Sequence, residues 1–411
     1  MARSGLLVRT LTLCSIALSA FLLTLPAAYA QEGARPEVAT PIKAAGDLLR
    51  ANRFKEALSK LRDADSVPNK TPYEVYLIES TRGSAASGAG DNATAIRSFE
   101  TVINSGKAPA ATQLKMVEAL AGAYYRAQDY ASSIKWGMRY FREGGTNAQI
   151  RTLMIQAYFQ SGDFANSARE SLIDIQADEK AGRAPPEEKL QLLANSYLRQ
   201  KNQNGYIATI EKLLNYYPRK SLWADIISRL QRKPGFSDRL SLDVYRLQLA
   251  TGNLSSTSDF MEMTQLALQA GFSGEAKKIV DDGYSTGALG KGADVERQKR
   301  LRDLVEKKVA ENKAMLAAGT EEAAARSAKD GSDLVALGYN VFSSGQTAKG
   351  ISLMEEGIKK GKLKRPEDAK LHLGIALIQA GQKSKGVQVL KSVQGSDGAS
   401  DLANLWAIYS R

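Results

Sequence analysis

The 411-residue chain contains one cysteine, Cys14, and one histidine, His372. Disulfides, thiolate nucleophiles and Cys- or His-rich metal centres therefore have almost no residues to be built from. A Ser-His-Asp or Cys-His system would have to use His372. Strand-like alternation is missing, and no long apolar run follows the N-terminus, so neither a β-rich domain nor a later membrane span is indicated. Proline is scarce, at 11 residues, and no Pro-rich linker divides the chain. Stability has to come from the packing of helices.

Residues 1–30 carry Arg3 and Arg9, an apolar run from Leu11 to Leu25, then Pro26 and the small residues Ala28 and Ala30. That order is expected of a secretory signal cleaved before Gln31; an uncleaved anchor is disfavoured by the short run and its Thr12, Ser15, Ser19 and Thr24. Cleavage would remove Cys14. The signal specifies export, and a periplasmic location is the expectation. The net charge of +12 includes Arg3 and Arg9, which leaves +10 for the mature chain. A basic exported protein meets acidic protein segments, anionic headgroups or cell-wall polymers more readily than nucleic acid; a merely solvated basic surface is the alternative.

What the chain does have is repetition. Leu337-Gly338-x-x-Val341 followed by Gly345 is echoed by Leu373-Gly374-x-x-Leu377 followed by Gly381, and each first Gly is followed twelve residues later by Gly350 or Gly386. Each copy reads as a helical hairpin whose small residues sit where two helices cross closely. Upstream, Leu120-Ala121-x-x-Tyr124, Met154-Ile155-x-x-Tyr158 and Leu193-Ala194-x-x-Tyr197 repeat the frame. The aligned second-helix positions Ala57, Ala95, Ser133, Ser167 and Tyr206 are 38, 38, 34 and 39 residues apart. The excess falls in loops such as 181–186, where insertion costs a repeat array little.

The expected organisation is a signal peptide (1–30), a flexible lead-in (31–40), an N-terminal array (41–220), degenerate hairpins with a weakly specified helical stretch (221–330), two regular repeats (331–396) and a capping helix (397–411). Within 221–330, Lys233-Pro234-Gly235 separates two apolar helical runs, and the pair over 259–283 is expected to pack through Ala267, Ala270, Ala276 and Val280. Leu402, Leu405, Trp406 and Tyr409 are expected to cover the exposed end of the last hairpin.

The Leu-Gly/Ala-x-x-Tyr pattern with a later small residue resembles the tetratricopeptide repeat (TPR). The resemblance spans about residues 41–411 and implies an all-α, right-handed superhelical solenoid whose first helices line a concave groove for peptides or partner domains. The stretches Leu213–Trp223, Gly361–Gly381 and Leu402–Arg411 are similar to the periplasmic TPR proteins that accompany TonB, ExbB and ExbD in some Gram-negative bacteria, while 295–330 departs from their regular hairpins. The resemblance thus implies a protein-binding scaffold, accessory to a TonB-type energy-transducing complex. A cell-envelope adaptor for glycan or an outer-membrane assembly stays open.

With Ala121, Ile155 and Ala194 at the close crossings, the TPR frame turns Tyr125, Arg126, Gln156, Phe159, Gln160, Asn195, Leu198 and Arg199 towards the groove. Aromatic and aliphatic anchors beside Arg and amide groups suit an extended peptide or a docked helix; the alternative is that Tyr125 and Phe159 pack between helices. Glu118 and Thr152 stand where the carboxylate clamp of some TPR domains has its first Lys, so no carboxylate-terminal ligand is implied. A catalytic part for His372 is disfavoured, and the neighbouring carboxylates Asp281-Asp282, Glu187-Glu188 and Glu321-Glu322 diverge on a helix rather than converge on one bond. Gly283 to Gly292 lacks phosphate-loop spacing and is expected to be a flexible connection. Lys359, Lys360, Lys362, Lys364 and Arg365 form a basic link suited to an acidic partner or headgroups, or simply to water. No catalytic residue, cofactor, metal or nucleic-acid partner is expected.

Overall fold

The computed structural model describes residues 33–411, so the expected signal peptide and the first two residues of the lead-in lie outside the described residues. The described chain is helical, without strands. It divides into two compact units, one formed by residues 33–183 with Asn195–Lys201 and the other by Ala184–Ala194 with Asn202–Arg411.

The first unit stacks four hairpins: α1 (Pro36–Arg50) with α2 (Phe54–Asp65), α3 (Pro72–Ala89) with α4 (Asn92–Ser105), α5 (Ala110–Arg126) with α6 (Tyr130–Arg142), and α7 (Ala148–Gln160) with α8 (Phe164–Lys180). Of helix α9 (Glu187–Arg199), residues 195–199 belong to this unit and residues 187–194 to the other. Local chemistry makes these turns, except the first, where Asn52 is left-handed but Arg53 starts α2 without a side-chain cap. A residue in the left-handed region, Gly90, Gln128, Gly162 or Lys201, reverses the chain. The next residue, Asp91, Asp129, Asp163 or Asn202, caps the following helix by accepting from a backbone N–H three positions on. Gly is used twice and long side chains twice, so the turn geometry and not the residue is what repeats.

Close crossings hold each pair together, and their register is constant. Ala57, Ala95, Ser133 and Ser167 are all fully buried, each twelve residues after the close-crossing position of its first helix. The Ser133 hydroxyl donates to the Ala121 carbonyl (2.8 Å), and Ser167 donates to that of Ile155 (3.2 Å). The helices are near enough for a one-carbon side chain to span them. In these four hairpins a larger side chain at that register would have to push the two helices apart.

The second unit contains α10 (Gln203–Tyr216), α11 (Lys220–Gln231), α12 (Ser241–Ala250), α13 (Thr257–Gln269), α14 (Ser273–Ser285), α15 (Val295–Ala318), α16 (Thr320–Ser327), α17 (Ser332–Ser343), α18 (Thr347–Lys360), α19 (Pro366–Gln379), α20 (Lys383–Lys391) and α21 (Ala399–Tyr409). Its tightest crossing joins α17 to α18. A Cβ on Gly350 would lie 2.4 Å from the Phe342 nitrogen and 2.6 Å from the Gly338 oxygen, and one on Gly331 would meet the Gly357 oxygen. The α19–α20 pair repeats the register with Gly374 and Gly386, but there an added Cβ on Gly374 meets the movable Leu390 side chain at 2.5 Å.

Several expectations change. Residues 36–40 are not a lead-in: Pro36 starts α1, where its fixed φ suits the first turn, and Val38 is fully buried beside Ala64 and Ile78. Arg35 then locks α1 to α3, since the Glu74 carboxylate accepts from the Arg35 backbone, its guanidinium and the Thr71 N–H, at 2.8–3.0 Å. These bonds, that from Arg35 foremost, pull Glu74 down to about 2. Helix α10 belongs to the second unit, whereas its repeat spacing grouped it with the N-terminal array. Ala270 is the exposed C-cap of α13, not a packing residue. The stretch 295–330 is helical, with Gln298, Leu301 and Val305 the buried residues of α15.

Helix α21 does more than cover an end. Leu402, Leu405 and Trp406 are buried, but Tyr409 is 40% exposed, and the helix packs on α10 and α12 as well as on α19 and α20. Lys233 pairs with Asp401 (2.7 Å), Arg239 with Asp397 (2.7 Å), and the Trp223 and Tyr409 rings meet edge-on at 6.2 Å. The C-terminal helix thereby ties the end of the second unit to its beginning.

Gly350→Ala should lower stability by about 1–3 kcal/mol, because backbone atoms cannot step aside, and Gly374→Ala by less, because Leu390 can rotate. Urea unfolding of the two variants checks the order; equal losses would refute it. The Glu74 contribution is present above the ordinary carboxylate pKa of about 4.3 and is lost as pH falls through about 2. Limited proteolysis of α1 from pH 5 down to about 1.5, with an acid-tolerant protease, should show release of the helix in wild type and no pH step in Glu74→Gln.

Candidate interaction surface

The residues expected to line a groove all lie in the first unit, at the C-terminal ends of its first helices. Arg126, Gln160 and Arg199 are the last residues of α5, α7 and α9, and all three are exposed. A basic or amide side chain at that point also faces the negative end of its helix. Arg126 donates to the Asn92 side chain (2.9 Å) at the start of α4. Arg199 lies over the ring of Phe164, 5.2 Å from its centre, at the start of α8.

The aromatic members follow one rule. Tyr125 meets Tyr130 edge-on at 5.6 Å, and Phe159 meets Phe164 edge-on at 5.2 Å. In each pair the ring near the end of the first helix crosses the turn to the first ring of the second helix, five residues on. Both are half-buried, so part of each ring stitches its own hairpin and part faces out. Gln156 is half-buried, Asn195 exposed, and Leu198 is 38% exposed. Glu118 accepts from the Asn147 amide at 2.7 Å, which fixes its carboxylate between α5 and α7. The structure thus offers a file of polar helix ends with ring edges between them.

His372 has a different setting, in the second unit, on α19. Its Nε2 is 3.0 Å from Asp243 on α12, and its ring is 5.2 Å from that of Tyr339 on α17. Asp243 also accepts from Arg246 (2.6 Å), which makes a two-pronged pair with Glu275 of α14 (2.7 and 2.6 Å) and stacks over Tyr339 at 4.5 Å. Burial pushes the Asp243 carboxyl up, but His372 and Arg246 outweigh it and hold it well below the usual range. Burial likewise opposes the Arg246 charge, which Glu275 and Asp243 more than offset. The imidazole is a member of a closed ion network joining four helices. Sequence reasoning missed this network because its members are up to 129 residues apart. Beside it a pocket of about 170 Å³ is lined by Arg246, Glu275, Tyr339, Met263 and Phe342 among others.

One carboxylate of each neighbouring pair is engaged in structure, and the other is exposed. Asp281 pairs with Lys277 (3.1 Å) and Glu322 with Lys349 (2.7 Å). Glu187 pairs with Arg219 and also takes a hydrogen bond from Gln191. The loop from Gly283 to Gly292, expected to be flexible, is pinned. Buried Gln298 accepts from the Gly290 N–H (2.7 Å) and donates to the Lys291 carbonyl (3.2 Å), and Leu289 is buried beneath. Among the described residues no group of three or more His, Cys, Asp or Glu side chains is placed to hold a metal ion, and no helix is long and apolar enough to cross a membrane.

No family model matches the chain, and no curated protein matches it. Solved structures similar to it include the complex of the TPR2AB domain of yeast Sti1 with pHSP90, at 13% identity over 66% of this chain and 98% of that one, with a TM-score of 0.32. Naa15/Naa10 bound to HypK-THB matches at 13% identity over 89% and 58%, with a TM-score of 0.32. Yeast Tom70 matches at 11% identity over 91% and 95%, with a TM-score of 0.23. The hairpin architecture stands on this chain's own crossings.

Arg246→Leu would leave the partly buried Glu275 without its cation and the buried Asp243 with His372 alone, and should cost about 3 kcal/mol in urea unfolding of the full chain at neutral pH. A loss below about 1 kcal/mol would show that water, not Arg246, satisfies Asp243 and Glu275.

Proposed function

We propose that the chain is a non-catalytic scaffold of the periplasm, which holds protein partners along the first-helix ends of its N-terminal unit and serves a TonB-type energy-transducing complex through TonB, ExbB or ExbD. The observation that carries the binding role is the same-register file of exposed Arg126, Gln160 and Arg199, set beside the outward edges of Tyr125 and Phe159 and the exposed Leu198. Guanidinium and amide groups supply directed donors at fixed intervals, and the ring edges supply contact area already held in place by their partners across the turn. An extended segment or an amphipathic helix can engage several hairpins at once on such a surface. The periplasmic setting and the energy-transduction partners rest on the N-terminal sequence and on the likeness carried by Leu213–Trp223, Gly361–Gly381 and Leu402–Arg411.

Crosslinking in intact cells, followed by affinity capture of the mature protein and mass spectrometry, tests the proposal. The Arg126→Ala/Gln160→Ala/Arg199→Ala variant should change its melting temperature little, since all three side chains are exposed and the Arg126–Asn92 and Arg199–Phe164 contacts lie at the surface, and should recover its partner about tenfold less well or worse. Unchanged recovery would remove the surface from consideration. Recovery of an unrelated envelope assembly would keep the scaffold and discard the TonB link. Sedimentation with isolated cell wall in place of any protein capture would favour a glycan adaptor.

A further inference from the structure

The second unit carries a surface that the binding file of the first unit does not use. The link between α18 and α19 is short and held at both ends: the Gly331 N–H donates to the Gly361 carbonyl (2.9 Å), and the Lys364 N–H donates to the Ser332 hydroxyl (3.0 Å). Within it Lys362 occupies the left-handed region, at φ 52°, where a lysine is disfavoured. The same bonds bring Lys329 to the link. At the far end of the last pair, Lys370 donates to the Ser392 carbonyl (3.3 Å) and the Gln394 N–H donates to Glu367 (2.6 Å), which sets Lys391 beside the start of α19. Lys329, Lys359, Lys362, Lys364, Arg365 and Lys391 are all exposed, and none has an ion-pair partner among the described residues.

The carboxylates nearby are already engaged. Asp330 holds the Ser332 N–H (2.8 Å), Glu367 holds Lys370 (2.8 Å), Asp368 holds Arg239 (2.8 Å), and Glu356 pairs with Arg326. Asp330 stays charged and feels Lys364 and Lys360, but the six cations outnumber it, so the cluster keeps a net positive charge. Leu363, the one large apolar side chain of the link, is half-buried against the core, and the exposed large apolar residues lie elsewhere in the chain. A surface that inserts into lipid gains from apolar side chains at its rim, and this one has none.

We propose that this cluster is a docking site for an acidic, Asp/Glu-rich segment of a protein partner. The pinned backbone leaves only the side chains to be ordered on binding, which distinguishes it from a loose solvated loop.

Fluorescence anisotropy with a labelled oligoglutamate peptide and the purified mature chain tests it. Binding should weaken as salt rises through the range in which the Debye length falls below about 10 Å. Lys362→Gln/Lys364→Gln/Arg365→Gln should weaken it about tenfold. The charge-matched control Lys299→Gln/Arg300→Gln/Lys307→Gln, on exposed positions of α15, should change it by less than about twofold. Equal loss in both variants would reduce the effect to net charge and overturn the site. So would the absence of binding at low salt. Tighter binding to phosphatidylglycerol vesicles than to the peptide, lost in the first variant, would overturn the acidic-protein assignment in favour of a membrane surface.

Discussion

Each hairpin depends on the contact between the carbonyl of a first-helix residue and the residue twelve positions later. Ser133 and Ser167 reach that carbonyl with a hydroxyl, Ala57 and Ala95 leave only a methyl there, and Gly350 and Gly386 leave nothing. The rest of the hairpin follows from it. Once the two backbones are this near, the large apolar residues on either side must interdigitate in one way, and the turn must be tight enough to need a left-handed residue. The exception is informative. Tyr206 stands at this register and is buried, with its hydroxyl donating to Asp225 and burial pushing it up to about 12. There the small residue is replaced by one that carries its own polar partner, and Arg229 closes over the ring at 4.1 Å.

The two units are held by different means. In the first, neighbouring hairpins succeed one another in chain order, so its contacts are local and its first-helix ends form a repeating surface. In the second, the Asp243–Arg246–Glu275–His372 network and the return of α21 join residues more than a hundred positions apart. Buried ion pairs of this kind contribute little net stability over an apolar core, but they are strongly penalised when one member is lost, and they fix which helices meet. The one histidine of the chain is thus held in a charge network as a structural partner.

That division bears on function. A surface made by repetition can engage a partner that is itself extended, because the same donor recurs at each step. A cluster made by convergence, such as the basic link with Lys329 and Lys391, is local and suits a short complementary segment. The first is built from helix ends and ring edges, the second almost wholly from charge, and salt will act on them differently.

The sequence by itself determined the hairpins. Their register was legible because both members of each crossing lie within one hairpin, twelve residues apart, and because close approach admits few residue types. Gly338, Gly350, Ser133 and Ser167 could be placed for that reason. The positions of Arg126, Gln160 and Arg199 at corresponding helix ends were legible from the same frame. The start of α1 was not, since Val38 is buried only because α2 and α3 are folded against it, and Pro36 reads equally well as coil. Nor was the pinning of the loop before α15 by Gln298, or the part played by His372. Only the tertiary structure decided these, along with the return of α21, because each depends on charges and surfaces brought together across long stretches of chain, and local periodicity carries no record of such pairings.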